Sequence, residues 1–174
     1  DGTAYTASDS YFNTLTLTDI TLPVKPKGVS VSGTVTSYGS DSDDVTVQLI
    51  EAGHTEPAYE VIVTGNSATY SFDTVPAGEY TLKVEKTNHV VRTYDISVGS
   101  EAVTQDVKIC LLGDINADGR LTLADYGKVL QHVKKVSLLT DYEFACADIN
   151  KDGKLTLVDY GKILQHVKKV SLLW

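Results

Sequence analysis

Two stretches of this chain carry oxygen-bearing side chains at one repeated spacing. Counting Asp114 as the first place, Asn116, Asp118 and Asp125 stand third, fifth and twelfth, and Asp148, Asn150, Asp152 and Asp159 repeat the series. Carboxylates and amides spaced along a tight loop wrap a hard cation in six to eight oxygens. The sixth place is glycine both times, Gly119 and Gly153, where such a loop turns sharply. The seventh residues, Arg120 and Lys154, would lend only main-chain carbonyls, so their side chains are free to be basic. In the ninth place Thr122 and Thr156 can hold a bridging water or ligate through the hydroxyl. Flexible carboxylates and carbonyls suit calcium better than magnesium, which demands a rigid octahedron and keeps several waters. Neither loop holds Cys or His, which argues against a transition metal. One acidic, Asn- and Gly-rich stretch alone is a solvated turn as readily as a site. Two in register, each followed by the same amphipathic segment, are sites, and two calcium ions are expected.

These loops belong to an internal repeat. Residues 114–139 and 148–173 differ only at Ala117/Lys151, Arg120/Lys154, Ala124/Val158 and Val129/Ile163. Tyr126, Val129, Leu130 and Val133 recur at helical spacing, mirrored by Tyr160, Ile163, Leu164 and Val167, so each loop predicts a helix, over 123–135 and 157–169. Thr122 with Asp125, and Thr156 with Asp159, fit capping boxes at the starts. Lys134, Lys135, Lys168 and Lys169 suit the negative C-terminal ends. Leu121 and Leu155, in the eighth place, are expected to point inward and tie each loop to a core. Between the repeats, Thr140 followed by Glu143 predicts a short helix over 141–147. Gly127 and Gly161 fall inside helices at a cost of about 1 kcal/mol each, which predicts close approach by another backbone, that of the facing repeat or of a partner.

Upstream, residues 28–111 read as strands. Val29, Val31 and Val35 flank Gly33, and apolar alternation returns at 45–50, 59–63, 68–72, 79–84, 90–98 and 103–109. Turn residues separate these runs, at 39–44, 65–66, 76–78 and 99–101. Seven short strands predict a small antiparallel β-sandwich. Residues 1–27 hold one more strand candidate, 15–22, and a Pro-rich hinge. That strand is either the sandwich's own first or the last of a preceding module. The expected division is 1–27, then 28–112 as sandwich, then 113–174 as the repeat module.

The formal charge of -8 is split unevenly. Residues 1–112 carry 6 Lys and Arg against 15 Asp and Glu, whereas 113–174 carry 9 against 8. Six of those eight acids lie inside the loops, so the rest of the C-terminal surface is basic. The acidic N-terminal part would repel phosphate, which argues against nucleic acid. No apolar run approaches the ~20 residues of a membrane span. The Thr, Ser and Val richness and a start without Met read as a piece of a larger extracellular protein. Cys110 and Cys146 each lie just upstream of a loop, and either pair in an oxidising compartment or serve as small buried hydrophobes. His54, His89, His132 and His166 have no nucleophile or paired carboxylate around them, so no enzyme is expected.

The loops with their Asp-x-Asn-x-Asp-Gly start, the duplication and the absence of a helix before the first loop resemble a dockerin module over 113–174. The resemblance implies a multi-domain protein, an all-β sandwich followed by an all-α dockerin with paired EF-hand-like calcium loops. It implies calcium-dependent binding to a cohesin module, anchoring the parent protein in an extracellular, cellulosome-like complex, with polysaccharide met only indirectly. In dockerins the two residues before the twelfth ligand and the exposed face of the following helix set partner choice. Here these are Leu123, Ala124, Lys128, Gln131, His132 and Lys135, and in the second repeat Leu157, Val158, Lys162, Gln165, His166 and Lys169. Two equivalent faces imply a plug able to bind in two orientations. The first pairs are apolar, where familiar dockerin classes often carry hydroxyls, so the cohesin class stays open. Dockerin ends usually meet in a clasp, for which Leu111, Leu112, Leu172, Leu173 and Trp174 are placed. Gly33-Thr-Val35 and the run 69–84 resemble carboxypeptidase regulatory-like, transthyretin-like sandwiches, which implies an X-type companion module. Carbohydrate binding by tyrosines of the sandwich (Tyr5, Tyr11, Tyr38, Tyr59, Tyr70 and Tyr80) is the alternative, although Tyr70 and Tyr80 alternate with Phe72 and Leu82 as core residues do. Asp41, Asp43 and Asp44 read as a solvated turn before a further ion site.

Overall fold

The computed structural model describes residues 28–174. The strand candidate at 15–22, the hinge, Tyr5 and Tyr11 lie outside the described residues.

Alternation builds the first half. β1 (Val29–Thr36), β2 (Asp44–Glu51), β3 (Tyr59–Thr64), β4 (Ser67–Val75), β5 (Gly78–Lys86) and β6 (Arg92–Val98) are followed by two short strands, β7 (Val103–Thr104) and β8 (Val107–Lys108). One sheet runs β4-β1-β7 with β8 also on β1; the other runs β3-β2-β5-β6. Every second residue faces inward, so Val45, Val47 and Leu49 meet Tyr80, Leu82 and Val84 in one core with Val31, Val35, Tyr70 and Phe72. The pairings are antiparallel except that β7 and β8 both run parallel to β1. The expected single strand over 103–109 is broken in two, because the chain swings at Gln105 across β1. A Cβ on Gly33 would strike the Gln105 carbonyl. Glycine at 33 is therefore what lets Gln105 approach, and Tyr70 fixes it there by donating its hydroxyl to that carbonyl at 2.7 Å.

The second half holds α1 (Leu123–Val133), α2 (Asp141–Ala147) and α3 (Leu157–Val167) around a separate core of Cys110, Ile115, Val129, Cys146, Ala147, Ile149 and Ile163. All three helices start with complete capping boxes, Thr122/Asp125, Thr140/Glu143 and Thr156/Asp159. Tyr126 and Tyr160 meet edge to face across the helix pair, with centroids 5.6 Å apart. α1 and α3 end two residues before the expected Lys135 and Lys169. Those lysines sit at positive φ, 56° and 55°, and Val136 N–H and Lys135 N–H bond back to Gln131 and His132 carbonyls, a pattern copied in the second repeat. This is a Schellman ending with lysine where glycine is usual.

The junction is short and pinned. Leu111 bridges His89, Val90 N–H donates to Cys110 carbonyl at 2.9 Å, and Leu112 N–H donates to Asn88 carbonyl at 2.8 Å. From α2, Tyr142 hydroxyl donates to Val90 carbonyl and accepts from Cys110 N–H, both at 3.0 Å. The Arg92 guanidinium stacks 4.2 Å from the Tyr142 ring centroid. Trp174 indole N–H closes the far end by donating to Leu112 carbonyl at 3.0 Å. Leu173 packs beside it in the second core, whereas Leu172 stays exposed.

Candidate functional site

Each loop is organised around its first and twelfth residues. Asp114 accepts Asp118 N–H at 3.1 Å and Gly119 N–H at 2.8 Å, one on each carboxylate oxygen. Asp148 does the same for Asp152 and Gly153, at 3.2 and 2.8 Å. Asp125 accepts Ile115 and Asn116 N–H on one oxygen and the Thr122 N–H and hydroxyl on the other. Asp159 repeats this arrangement with Ile149, Asn150 and Thr156. In the middle places the side-chain amide of Asn116 donates to Asp118, and that of Asn150 to Asp152, each at 2.8 Å. Leu121 and Leu155 pack into the second core as expected, tying the loops down.

The electrostatics of this frame call for a cation. Asp114, Asp125 and Asp159 are fully buried and Asp148 nearly so, yet neither ion pair among the described residues (Lys83–Glu85, Lys128–Glu143) involves a loop carboxylate. Burial holds the Asp114 carboxyl above its usual range, against the pull of the Gly119 and Asp118 amides; the nearby Asp125 and Asp118 push it further up. Buried carboxylates without a counter-charge are costly, and a divalent ion removes that cost. Among the described residues no three Asp, Glu, His or Cys side chains converge tightly enough to hold an ion by themselves. A cation held here would need a mixed donor set, with the Asn116 or Asn150 amide oxygen and the Arg120 or Lys154 carbonyl beside the carboxylates. All are hard oxygen donors, and they fit calcium.

The helix faces carry the other predicted residues. Leu123, Ala124, Leu157 and Val158 are exposed, with Leu123 at 63% and Leu157 at 67%. Gln131, Lys135, Gln165 and Lys169 are exposed too. Lys128 is tied to Glu143 at 2.6 Å, while Lys162 makes no ion pair among the described residues. His132 and His166 are half-buried; their Nδ1 atoms accept the Leu139 and Leu173 N–H at 3.0 Å, and their rings pack on Phe144 and Trp174. These histidines hold down the chain after each helix. Gly127 and Gly161 correct one expectation: a Cβ at either would meet nothing within 4 Å, so the facing repeat does not approach them. The sequence also gave no sign of a strongly apolar surface after each helix, where Val136, Leu138, Val170 and Leu172 are all exposed. Cys110 and Cys146 are free thiols buried together in the second core; a hydrogen bond with Cys110 and burial push the Cys146 thiol up. In the sandwich, Tyr70 and Tyr80 are core residues, and Asp41 accepts Asn66 N–H, linking the β1–β2 turn to the β3–β4 turn.

The frame is thus a duplicated loop-helix module, its loops lined with oxygen donors, fastened to a β-sandwich. Residues 112–167 match the family model of the dockerin type I domain, and residues 26–111 match that of the BOS complex subunit NOMO1-like second β-sandwich domain. The chain is thus similar to a β-sandwich of that kind followed by a dockerin type I domain, a family whose members bind calcium. No curated protein matches the chain. Among solved structures, it is similar to an N-terminal interface mutant of a type II cohesin-X-dockerin complex from Acetivibrio cellulolyticus, with 21% identity, 80% of this chain and 95% of that one covered, and a TM-score of 0.38. The 5-hydroxyisourate hydrolase of Klebsiella pneumoniae is also similar, at 21% identity over 48% of this chain and 90% of that one, with a TM-score of 0.37.

Proposed function

We propose that this chain is a docking unit which binds a cohesin module through residues 113–174 and so anchors its parent protein in an extracellular, cellulosome-like complex. Two calcium ions hold the loops, ligated by Asp114, Asn116, Asp118, Arg120 carbonyl, Thr122 and Asp125, and by Asp148, Asn150, Asp152, Lys154 carbonyl, Thr156 and Asp159. The sandwich, residues 28–112, is a non-catalytic companion that stabilises the module across the pinned junction. The observation that carries the reading is the pairing of two identically hydrogen-bonded loops with two helices that present matching exposed residues, Leu123/Ala124 and Leu157/Val158.

Apolar centres flanked by lysines suit a partner groove with an apolar floor and acidic rim, where charge complementarity speeds encounter. Because the two faces match, the partner is bound in either of two orientations. Gly127 and Gly161, open on the helix surface, leave room for the partner's backbone. Sugar stacking on the sandwich has less support, since Tyr70 and Tyr80 are buried. Among the described residues no helix is long and apolar enough to cross a membrane. Calorimetric titration against a panel of cohesins, in calcium and then in EDTA, tests the proposal. Tight binding to one class, abolished by EDTA, is the expected result; no binding to any cohesin with both loops filled rejects it.

A further inference from the structure

We propose that Tyr38, a residue of the sandwich, is a positioning residue for the first calcium loop and makes the two loops unequal, the first holding its ion more tightly. The inference rests on the metal reading of the loops. Tyr38 lies just beyond β1, and its hydroxyl donates to Ala117 carbonyl at 2.5 Å. Its ring lies against Gly119, where a Cβ would collide with the ring edge. Gly119 is at φ +83°, so glycine there serves both the loop's turn and this contact. Ala117 sits between the third and fifth ligands, Asn116 and Asp118, and Gly119 precedes the carbonyl donor Arg120. One aromatic side chain therefore braces the backbone that carries three consecutive donor places.

Tyr38 is itself held. Its N–H donates to His89 Nε2 at 3.1 Å, the His89 Nδ1 faces Thr87 carbonyl at 2.7 Å, and the Lys108 ammonium lies 5.7 Å from the ring centroid. Among the described residues the second loop has no such brace. Asn150, Lys151 and Gly153 are exposed where Asn116, Ala117 and Gly119 are half-buried. The bond from the third residue to the twelfth is 3.4 Å in the second loop against 3.1 Å in the first. A sequence difference falls at the residue that makes this contact. Residue 117, whose carbonyl accepts the tyrosine hydroxyl, is a half-buried Ala, and its counterpart, at the same positive φ, is an exposed Lys151. A loop already held in its bound shape loses less freedom on taking the ion, and that saving appears as affinity.

The test follows the Gly119 and Gly153 amides of the full chain by NMR during calcium titration. In the native protein Gly119 should saturate at lower calcium than Gly153. Tyr38→Phe, which keeps the ring and removes one neutral hydrogen bond, should weaken the Gly119 curve about five-fold and leave the Gly153 curve in place. Ala117→Lys, which gives the first loop the second loop's residue, should bring the two curves together. Melting of Tyr38→Phe in EDTA should fall by roughly the few degrees that one neutral hydrogen bond is worth, and comparison with the Gly119 and Gly153 curves separates ion affinity from general stability. Coincident native curves, or a Tyr38→Phe effect that is absent or equal at both glycines, overturn the inference and leave the metal reading standing. Two amides that ignore calcium overturn both.

Discussion

Replacing Asp114 and Asp148 together by Asn measures how much of the helical module's stability resides in the ions. Each aspartate accepts two backbone N–H groups on separate oxygens. Asn keeps one acceptor and turns an NH2 toward the other donor, so each substitution costs about 1–3 kcal/mol whether or not calcium is present. The ion's contribution is separate. A site filled at a free concentration a hundredfold above its Kd adds about 2.7 kcal/mol, so two sites add roughly 5 kcal/mol. On a small domain 1 kcal/mol moves the Tm by about 4–8 °C, which makes the expected gap between calcium and EDTA tens of degrees. The assay is thermal unfolding of the full chain followed by circular dichroism at the helical band, for both proteins in calcium and in EDTA. The native protein should show the gap and the double variant should lose nearly all of it. The sandwich transition should stay, because its core contains none of the loop residues. A double variant that keeps a calcium-EDTA gap of native size refutes the assignment of these two aspartates as ligands, whatever its absolute Tm.

Acid should loosen the junction through His89. Burial lowers its pKa from 6.5, aided by Lys86, while the Thr87 carbonyl and Asp43 act the other way. The unfolded chain therefore takes up a proton that the folded one resists. The stability His89 contributes is fully present above about pH 6.5 and is lost as pH falls from there toward its folded pKa. Denaturant titrations at pH 7.5 and 5.5 should show a smaller loss for His89→Gln than for the native chain; equal losses would dismiss this group as the cause. The matching helix faces predict a second outcome. Leu123→Asp alone should roughly halve cohesin affinity by removing one of two equal orientations, while Leu123→Asp with Leu157→Asp should abolish it. Complete loss from the single substitution, measured by calorimetry, would mean one docking orientation.

The loops were legible because ligand chemistry imposes fixed spacing, and a spacing that occurs twice is hard to produce by chance. The three helix starts were legible for a similar reason: Thr122, Thr140 and Thr156 each have their capping partner three residues on. The helix ends were not. A Schellman ending is normally announced by glycine, and Lys135 and Lys169 instead read as helix continuing. The sandwich strands followed from alternation, but alternation says nothing of direction, so the parallel pairing of β7 and β8 on β1 was invisible. His132 and His166 are expected on the docking faces, and that they also accept main-chain N–H groups was not legible. Their backbone partners, Leu139 and Leu173, lie past the helix end, where helical periodicity gives no guide.

What separates the two repeats is more telling than how much they share. Val129 and Ile163 are both fully buried in one core, where a single methylene can be absorbed by the opposing side chains. Arg120 and Lys154 stand where the loop uses only the backbone, so either basic side chain serves. Ala124 and Val158 are exposed at the helix starts, and there the two faces present surfaces of unequal bulk to a partner. Ala117 is half-buried where its carbonyl meets the Tyr38 hydroxyl, whereas Lys151 faces solvent. Three of the four differences thus fall where the fold tolerates or demands them, in the core, at a backbone donor and beneath the sandwich. Only the fourth touches the proposed docking face. On the proposed function the pseudo-symmetry is kept at all but one of the positions a partner would read and is given up where the sandwich meets the first loop. The molecule can then offer two near-equivalent docking faces while resting on two unequal metal loops.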